Sequence, residues 1–366
     1  MLSGSTLPVR DKKIGYFIIL FGLFALSANW LFSYTNSPLF LFLFFAVTLS
    51  STLNLLIFKR PFFPYDRILS AVSNGDFNTW TKERGVRIDI AANYQVYYPK
   101  VVSLDNGWRM YYRGGGERGG IVSAYSRDGL KWNPEQGFRI EIDRGDMGIV
   151  RVEGCEVIKI DDKCWRLYYS ATDGNRWKIY ISNSKDGLYW ENDLLCLEVP
   201  SDDEYQDVKA PSIVYSDGLW KMFFMRFSKA NTRIYTSVST DGLYWSKMSK
   251  CKGLCHPSTY IRNPFVMSIP NGMLRMFFSE RESWVDPSGA KIMSAVSLDG
   301  IHWSREEGVR IGPGKWYDKH GIFNVDIVPI ETGYRMYYTG YWGRHLLEPL
   351  TLRYYRKRRQ RADAPV

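Results

Sequence analysis

"SRDGLKW" occupies residues 126–132, and near-copies follow as "SKDGLYW" (184–190), "STDGLYW" (239–245) and "SLDGIHW" (297–303). A fifth, altered copy emerges when "ILSAVSNGDFNTWTKERGVRI" (68–88) is set beside "IMSAVSLDGIHWSREEGVRI" (292–311), with one extra residue in the turn. The tryptophans that close the five copies are Trp80, Trp132, Trp190, Trp245 and Trp303, spaced 52 to 58 residues apart. A period that long points to propeller blades and away from helical solenoids. Asp-Gly is a strong hairpin signal, because Gly accepts a positive φ and Asp can bond its own backbone. The Trp three residues after the Gly offers a large face to bury between sheets. Each copy therefore reads as strand, tight turn, strand.

A second element repeats out of phase, as "GWRMYYRG" (107–114), "CWRLYYSA" (164–171), "LWKMFFMR" (219–226), "MLRMFFSE" (273–280) and "GYRMYYTG" (333–340). Its apolar and aromatic bias suits a strand packed on both faces. A shorter strand precedes each copy, at 97–102, 154–159, 210–215, 263–268 and 325–330. Five units of four strands predict an all-β, five-bladed propeller over residues 68–345. The repeats begin with an outer hairpin and end with an inner pair, so the N-terminal strands should complete the last blade. That closure covers otherwise exposed sheet edges. Aromatic residues make up 16% of the chain, and helical periodicity is absent after residue 67.

The first sixty residues differ in kind. After a short N-terminal segment (1–13), residues 14–34 and 39–58 are each about twenty residues without charge, enough to cross a hydrocarbon core of roughly 30 Å. "TNSP" (35–38) separates them, so they predict a transmembrane helical hairpin joined to the propeller by a linker (59–67). Arg10, Lys12 and Lys13 precede the first span, while Lys59, Arg60 and Arg67 follow the second. The positive-inside rule then places a two-span protein in the inner membrane with its propeller on the cytoplasmic side. A cleaved signal peptide is the competing reading of the first span. Five cysteines without a repeating position read as reduced thiols. "CKGLCH" (251–256) supplies two thiols and one imidazole with no second pair nearby, short of a zinc site, so neither metal nor cofactor is expected.

The net charge is +10, and its densest basic run is "RYYRKRRQR" (353–361) within the tail 346–366. Such a run suits either attraction to anionic membrane lipid or a solvated tail. No recognisable nucleic-acid module interleaves it with aromatics, so nucleic acid is not an expected partner.

Propellers place ligands on the axis, at the starts of the innermost strands. Here those positions hold Tyr97 and Tyr98, Glu153 and Glu156, Asp207 and Lys209, Arg262 and Asn263, and Asn324 and Asp326. Arg151 and His320 lie just upstream of two of them. Carboxylates, cations, amides and tyrosines converging on one pore mouth suit a sugar site. The five repeats, the S-x-D-G-x-x-W turns and the W-R-M-Y-Y strands resemble the five-bladed propeller clan of glycosidases. That clan includes arabinanases, xylosidases, invertases, levansucrases and the related mannoside phosphorylases.

The resemblance covers roughly residues 66–345 and implies catalytic carboxylates on the inner strands, often as Asp before Pro. The sequence departs from that pattern. Tyr98, Ala210 and Asn263 precede Pro99, Pro211 and Pro264, and "VEGCEV" (152–157) keeps Glu153 of a V-E-D-P-R pattern without its Asp-Pro. Glu153, Glu156, Asp207 and Asp326 remain as candidate catalytic groups, one as acid and another as base or nucleophile. Tyr97, Tyr98, Arg151, Lys209, Arg262, Asn263, His320 and Asn324 are the candidate substrate ligands, with Arg262 and Lys209 placed to hold an anionic group. Two readings follow. One is a membrane-anchored, glycosidase-like propeller that binds or processes a glycan or lipid-linked sugar at the cytoplasmic face. The other is a non-catalytic propeller serving as a structural or assembly subunit beside other membrane proteins.

Overall fold

The computed structural model describes residues 65–342, except 90–95, 115–118, 143–146, 201–206, 228–230, 257, 283–287 and 315–316. The apolar stretches 14–34 and 39–58, the start of the linker and the basic tail lie outside the described residues. Among the described residues no helix is long and apolar enough to cross a membrane.

The described chain folds into five four-stranded antiparallel sheets. From inner to outer strand, blade one is β3 (Tyr97–Leu104), β4 (Gly107–Gly114), β5 (Gly120–Ser126) and β6 (Asn133–Pro134). Blade two is β7 (Arg151–Asp161), β8 (Cys164–Thr172), β9 (Trp177–Ser184) and β10 (Trp190–Leu197). Blade three is β11 (Asp207–Ser216), β12 (Leu219–Phe227), β13 (Thr232–Ser239) and β14 (Ser249–Lys250). Blade four is β15 (Tyr260–Ser268), β16 (Leu274–Arg281), β17 (Lys291–Ser297) and β18 (Ser304–Arg305). Blade five joins both ends of the domain, β19 (Gly321–Ile330) and β20 (Gly333–Trp342) with β1 (Tyr65–Ser73) and β2 (Thr81–Lys82). β1 pairs with β20 from Tyr65↔Trp342 to Ser73↔Tyr334, the expected closure, starting at residue 65 rather than 68.

The repeated motif builds a wider turn than a two-residue hairpin. In blade one the paired residues Tyr125 and Asn133 flank the whole motif. Inside it, Asp128 Oδ1 accepts the N–H groups of Leu130 and Lys131, each at 2.8 Å, and Ser126 Oγ accepts that of Gly129 at 2.8 Å. The Trp132 indole returns to the Gly129 carbonyl at 3.2 Å. The other copies repeat the Asp and Ser wiring around Asp186, Asp241 and Asp299, and the indoles of Trp190 and Trp303 return to their glycine carbonyls likewise. In the altered copy Asp76 takes the same role, and Phe77 (φ 55°) occupies the left-handed position that Gly holds elsewhere. The outer strand is two residues long in four of the five blades, whereas in blade two it runs over Trp190–Leu197.

The motif also joins neighbouring blades. Each motif Trp meets an aromatic ring of the preceding blade edge-on: Tyr111–Trp190, Tyr168–Trp245, Phe223–Trp303, Phe277–Trp80 and Tyr337–Trp132, with centroids 5.6–6.2 Å apart. Such pairs add roughly 0.5–1.5 kcal/mol beyond their buried area. Where the partner is Tyr, its hydroxyl donates to the motif glycine carbonyl, at 2.7 Å for Tyr111, 2.8 Å for Tyr168 and 2.8 Å for Tyr337. The rings themselves are fully buried.

All five inner strands bulge at one equivalent position. The residues there are left-handed: Tyr98 (φ 59°), Gly154 (45°), Ala210 (54°), Asn263 (53°) and Asn324 (49°). The register slips at each of these points. Pro99, Pro211 and Pro264 follow three of them, which suits a bulge because proline has no N–H to lose from the ladder. Four of the five are not glycine, and a left-handed L-residue costs roughly 1–2 kcal/mol. Strain repeated around a single axis marks the region where function is sought.

Candidate functional site

The bulges sort the inner strands into rings. Immediately before them stand Tyr97, Glu153, Lys209, Arg262 and Phe323, one per blade. All five line a cavity of about 500 Å³, together with Tyr98, Asn263 and Asn324 from the bulges themselves. The start of β7 adds Arg151, and strand ends behind the inner ring add Asp66, Met225, Phe227, Arg281, Thr339 and Tyr341.

Glu153 is the centre of the cavity's charge network. Its Oε2 meets Lys209 Nζ at 2.8 Å, and its Oε1 accepts from the Tyr97 hydroxyl at 3.3 Å and pairs with Arg151. Burial pushes this carboxyl up, but Lys209 and Arg151 outweigh it and hold it below its ordinary value. Burial pulls Lys209 down despite Glu153, and its ammonium sits 3.2 Å from the centroid of the Trp177 ring. The Tyr98 hydroxyl donates to Asn263 Oδ1 at 3.1 Å, and the Tyr97 and Tyr98 rings lie 5.2 Å apart. Burial, with Glu153 alongside, raises both tyrosine hydroxyls far above their ordinary value. Burial also lowers the Arg262 guanidinium.

Two residues past each bulge lies a deeper ring of Lys100, Glu156, Ser212, Phe265 and Asp326, around a void of about 30 Å³. Lys100 Nζ bridges Glu156 Oε1 at 2.5 Å and Asp326 Oδ1 at 2.9 Å, while Asp326 Oδ2 accepts the Val101 N–H at 2.7 Å. One cation thus serves two buried carboxylates. Burial, opposed by Lys100 and reinforced by Asp326, pushes Glu156 up to about 7. Burial also raises Asp326, against the pull of Lys100. Glu156 and Asp326, expected as candidate catalytic groups, thus line the smaller void rather than the larger cavity, and both are bonded to Lys100 of blade one. Aligning the inner strands two residues beyond the bulge would have exposed Lys100 as their partner.

Asp207 and His320 are likewise not brought to the cavity lining. Asp207 Oδ1 accepts the Trp177 N–H at 2.7 Å and so fixes the start of β9. His320 bonds through its backbone to Tyr341 at 3.1 Å, and its ring packs 6.4 Å from that of Tyr341. The other expected ligands, Tyr97, Tyr98, Arg151, Lys209, Arg262, Asn263 and Asn324, do meet in one place.

Sequence reasoning missed Asp66. It sits on the N-terminal strand β1, opposite Tyr341, and reaches the cavity only because β1 closes blade five. Burial pushes its carboxyl up to about 7. Among the described residues, Asp66 and Glu153 are the two carboxylates of the lining, and their surroundings move them in opposite directions. Carboxyls whose surroundings push them apart in this way are the kind that acid–base chemistry draws on.

No family model and no curated protein matches the sequence. Solved structures match the fold. An N-acetylgalactosamine deacetylase from F. plautii, in complex with blood group B trisaccharide, superposes with a TM-score of 0.57 at 15% identity, covering 75% of this chain and 86% of that one. An endo-arabinase from Bacteroides thetaiotaomicron VPI-5482 gives 0.53 at 14% identity, over 68% and 92%. A protein of the GH130 family of mannoside phosphorylases gives 0.53 at 12% identity, over 68% and 84%. The chain thus shares the five-bladed β-propeller fold of glycoside hydrolases, arabinase and mannoside phosphorylase relatives among them, as its repeats imply.

Proposed function

We propose that this protein holds a sugar in its axial cavity, and that the apolar stretches 14–34 and 39–58 anchor it in a membrane so that a glycan or lipid-linked sugar is met at the cytoplasmic face. The observation that carries the reading is the cavity itself. About 500 Å³ of space is walled by tyrosine rings, Phe227 and Phe323, with amides, hydroxyls and charged groups converging on it. Ligand sites of roughly 300–1,000 Å³ pair apolar walls with a few placed polar groups in this way. The glycoside-hydrolase fold supports a sugar as the ligand, although fold alone does not assign activity. Processing of that sugar would fall to Asp66 and Glu153, the pair that lines the cavity.

The structural-subunit reading draws on a different observation. Glu156 and Asp326 are only 4% and 1% exposed and are bonded to Lys100, so the inner strands spend these acids on joining blades. One experiment separates the two. The full-length chain is extracted in mild detergent, sized by gel filtration, and titrated calorimetrically with mono- and oligosaccharides. Saturable binding that is lost in Tyr98→Ala supports the sugar site. A chain that binds no sugar and runs in a large stable assembly supports the subunit reading instead.

A further inference from the structure

The two ends of the described chain leave the propeller together, on the cavity side. β1 starts at Tyr65 and β20 stops at Trp342, and these two residues face each other across the ladder. One step inward, Asp66 and Tyr341 are paired, and both line the cavity. The register of β19 gives the direction. Gly321 stands opposite Tyr341 and Phe323 opposite Thr339, whereas Asp326 of the deeper ring stands opposite Tyr337. Following β20 from Tyr337 to Trp342 therefore leads from the deeper ring, past the cavity wall, to the cavity mouth. Tyr65 and Trp342 lie at that rim.

The motif turns lie at the other end of the blades. In blade three, β13 starts at Thr232, opposite Phe227 of the cavity wall. It ends at Ser239, where the turn that carries Tyr244 begins.

The sequence beyond the rim ties this face to lipid from both ends. Seven chain steps join Phe58, the last residue of the second uncharged stretch, to Tyr65. Fully extended, they reach roughly 25 Å. β1 itself is nine residues, a length of roughly 30 Å. A linker that short cannot lead from the rim around a blade to the motif turns. From the same rim, Trp342 leads into the tail, whose run 353–361 holds six Arg and Lys residues. Clusters of that size are drawn to anionic leaflets, by about 1 kcal/mol for each cation.

We infer that the cavity-mouth face of the propeller is a docking surface for an anionic lipid bilayer, with the motif turns pointing away from it. This inference rests on the membrane-anchored, sugar-binding reading above and adds an orientation to it. The cavity then opens onto the headgroup layer. A sugar attached to a lipid reaches Tyr97, Tyr98 and Phe323 while its lipid stays in the membrane.

The test places a donor fluorophore on the full-length chain at one of two exposed turns, through Asn175→p-azidophenylalanine or Tyr244→p-azidophenylalanine. Asn175 belongs to the turn between β8 and β9, beside Thr172, which pairs with Arg151 of the cavity wall. Tyr244 is 83% exposed, in a motif turn. The chain is reconstituted in nanodiscs of phosphatidylethanolamine and phosphatidylglycerol with an acceptor dye on the headgroups. Energy transfer from position 175 should exceed that from position 244 by roughly threefold or more, because the two turns stand about a strand length apart. In nanodiscs of phosphatidylcholine alone the ratio should fall, since the tail has no anionic lipid to hold it.

Equal transfer from the two positions, or stronger transfer from 244, overturns the inference. It leaves the sugar-binding reading intact, because the calorimetric titration decides that separately. A ratio unchanged in phosphatidylcholine overturns the assignment to anionic lipid. Release of the chain from membranes by alkaline carbonate without detergent removes the anchor, and this inference with it.

Discussion

Replacing Glu156 with Gln tests the charge assignment of the deeper ring. The amide keeps the shape of the side chain and its carbonyl oxygen can still accept from Lys100, while Asp326 remains paired with that lysine at 2.9 Å. In the wild type, burial moves Glu156 from its ordinary 4.5 to about 7. The folded value lies above the unfolded one. The contribution of this group is therefore fully present below pH 4.5 and is lost as pH rises through about 7. Integrated over that window, the loss is on the order of 3 kcal/mol.

The variant cannot titrate at this position, so wild type minus variant stability should fall by about that amount between roughly pH 4 and pH 8. Groups unaffected by the substitution cancel in the difference. Urea unfolding followed by tryptophan fluorescence at closely spaced pH values measures it. A difference that stays within about 0.5 kcal/mol across the range would mean that Glu156 is neither buried nor titrating as described.

Three further outcomes are expected. Asp66→Asn should behave with the same sign, since burial raises Asp66 to about 7; in thermal unfolding the variant should outlast the wild type above pH 7 and converge with it in acid. Lys209→Met removes one of two cations from Glu153, and breaking a buried pair with Arg151 still in place should cost on the order of 2–4 kcal/mol at neutral pH. Glu153 is held below its ordinary value, so its contribution is present above pH 4.5 and lost as pH falls, and the penalty should shrink in acid unfolding curves. Tyr337→Phe keeps the edge-on contact with Trp132 but loses the 2.8 Å bond to the Gly129 carbonyl. That carbonyl still accepts from the Trp132 indole, so urea unfolding should show a cost of about 1 kcal/mol and no more than about 1.5.

The blade count, strand order and closure were legible in the sequence because the Asp-Gly turn is local chemistry repeated five times. The turn's internal form was not, because the reach of Asp128 Oδ1 to two backbone N–H groups widens the loop to the whole motif between Tyr125 and Asn133. Most cavity-lining residues were legible because the bulged inner strands recur in step, with Pro99, Pro211 and Pro264 as markers. Which carboxylates face the cavity was not, since Glu153 and Glu156 stand on opposite sides of the bulge in one strand and only the slip in register separates their levels. Asp66 carried no local sign at all. It reaches the cavity through a pairing between the two ends of the described chain.

That pairing sets the order of events during synthesis. β1 leaves the ribosome first among the described strands, but its partner β20 is among the last. Blades one to four hold all their own strands and can form as they emerge, whereas the fifth waits for the chain to be nearly finished. The cavity wall that includes Asp66 and Tyr341 therefore appears only on ring completion. A truncation that removes β20 would leave a row of unpaired backbone groups on both free ends, a template for association with other chains.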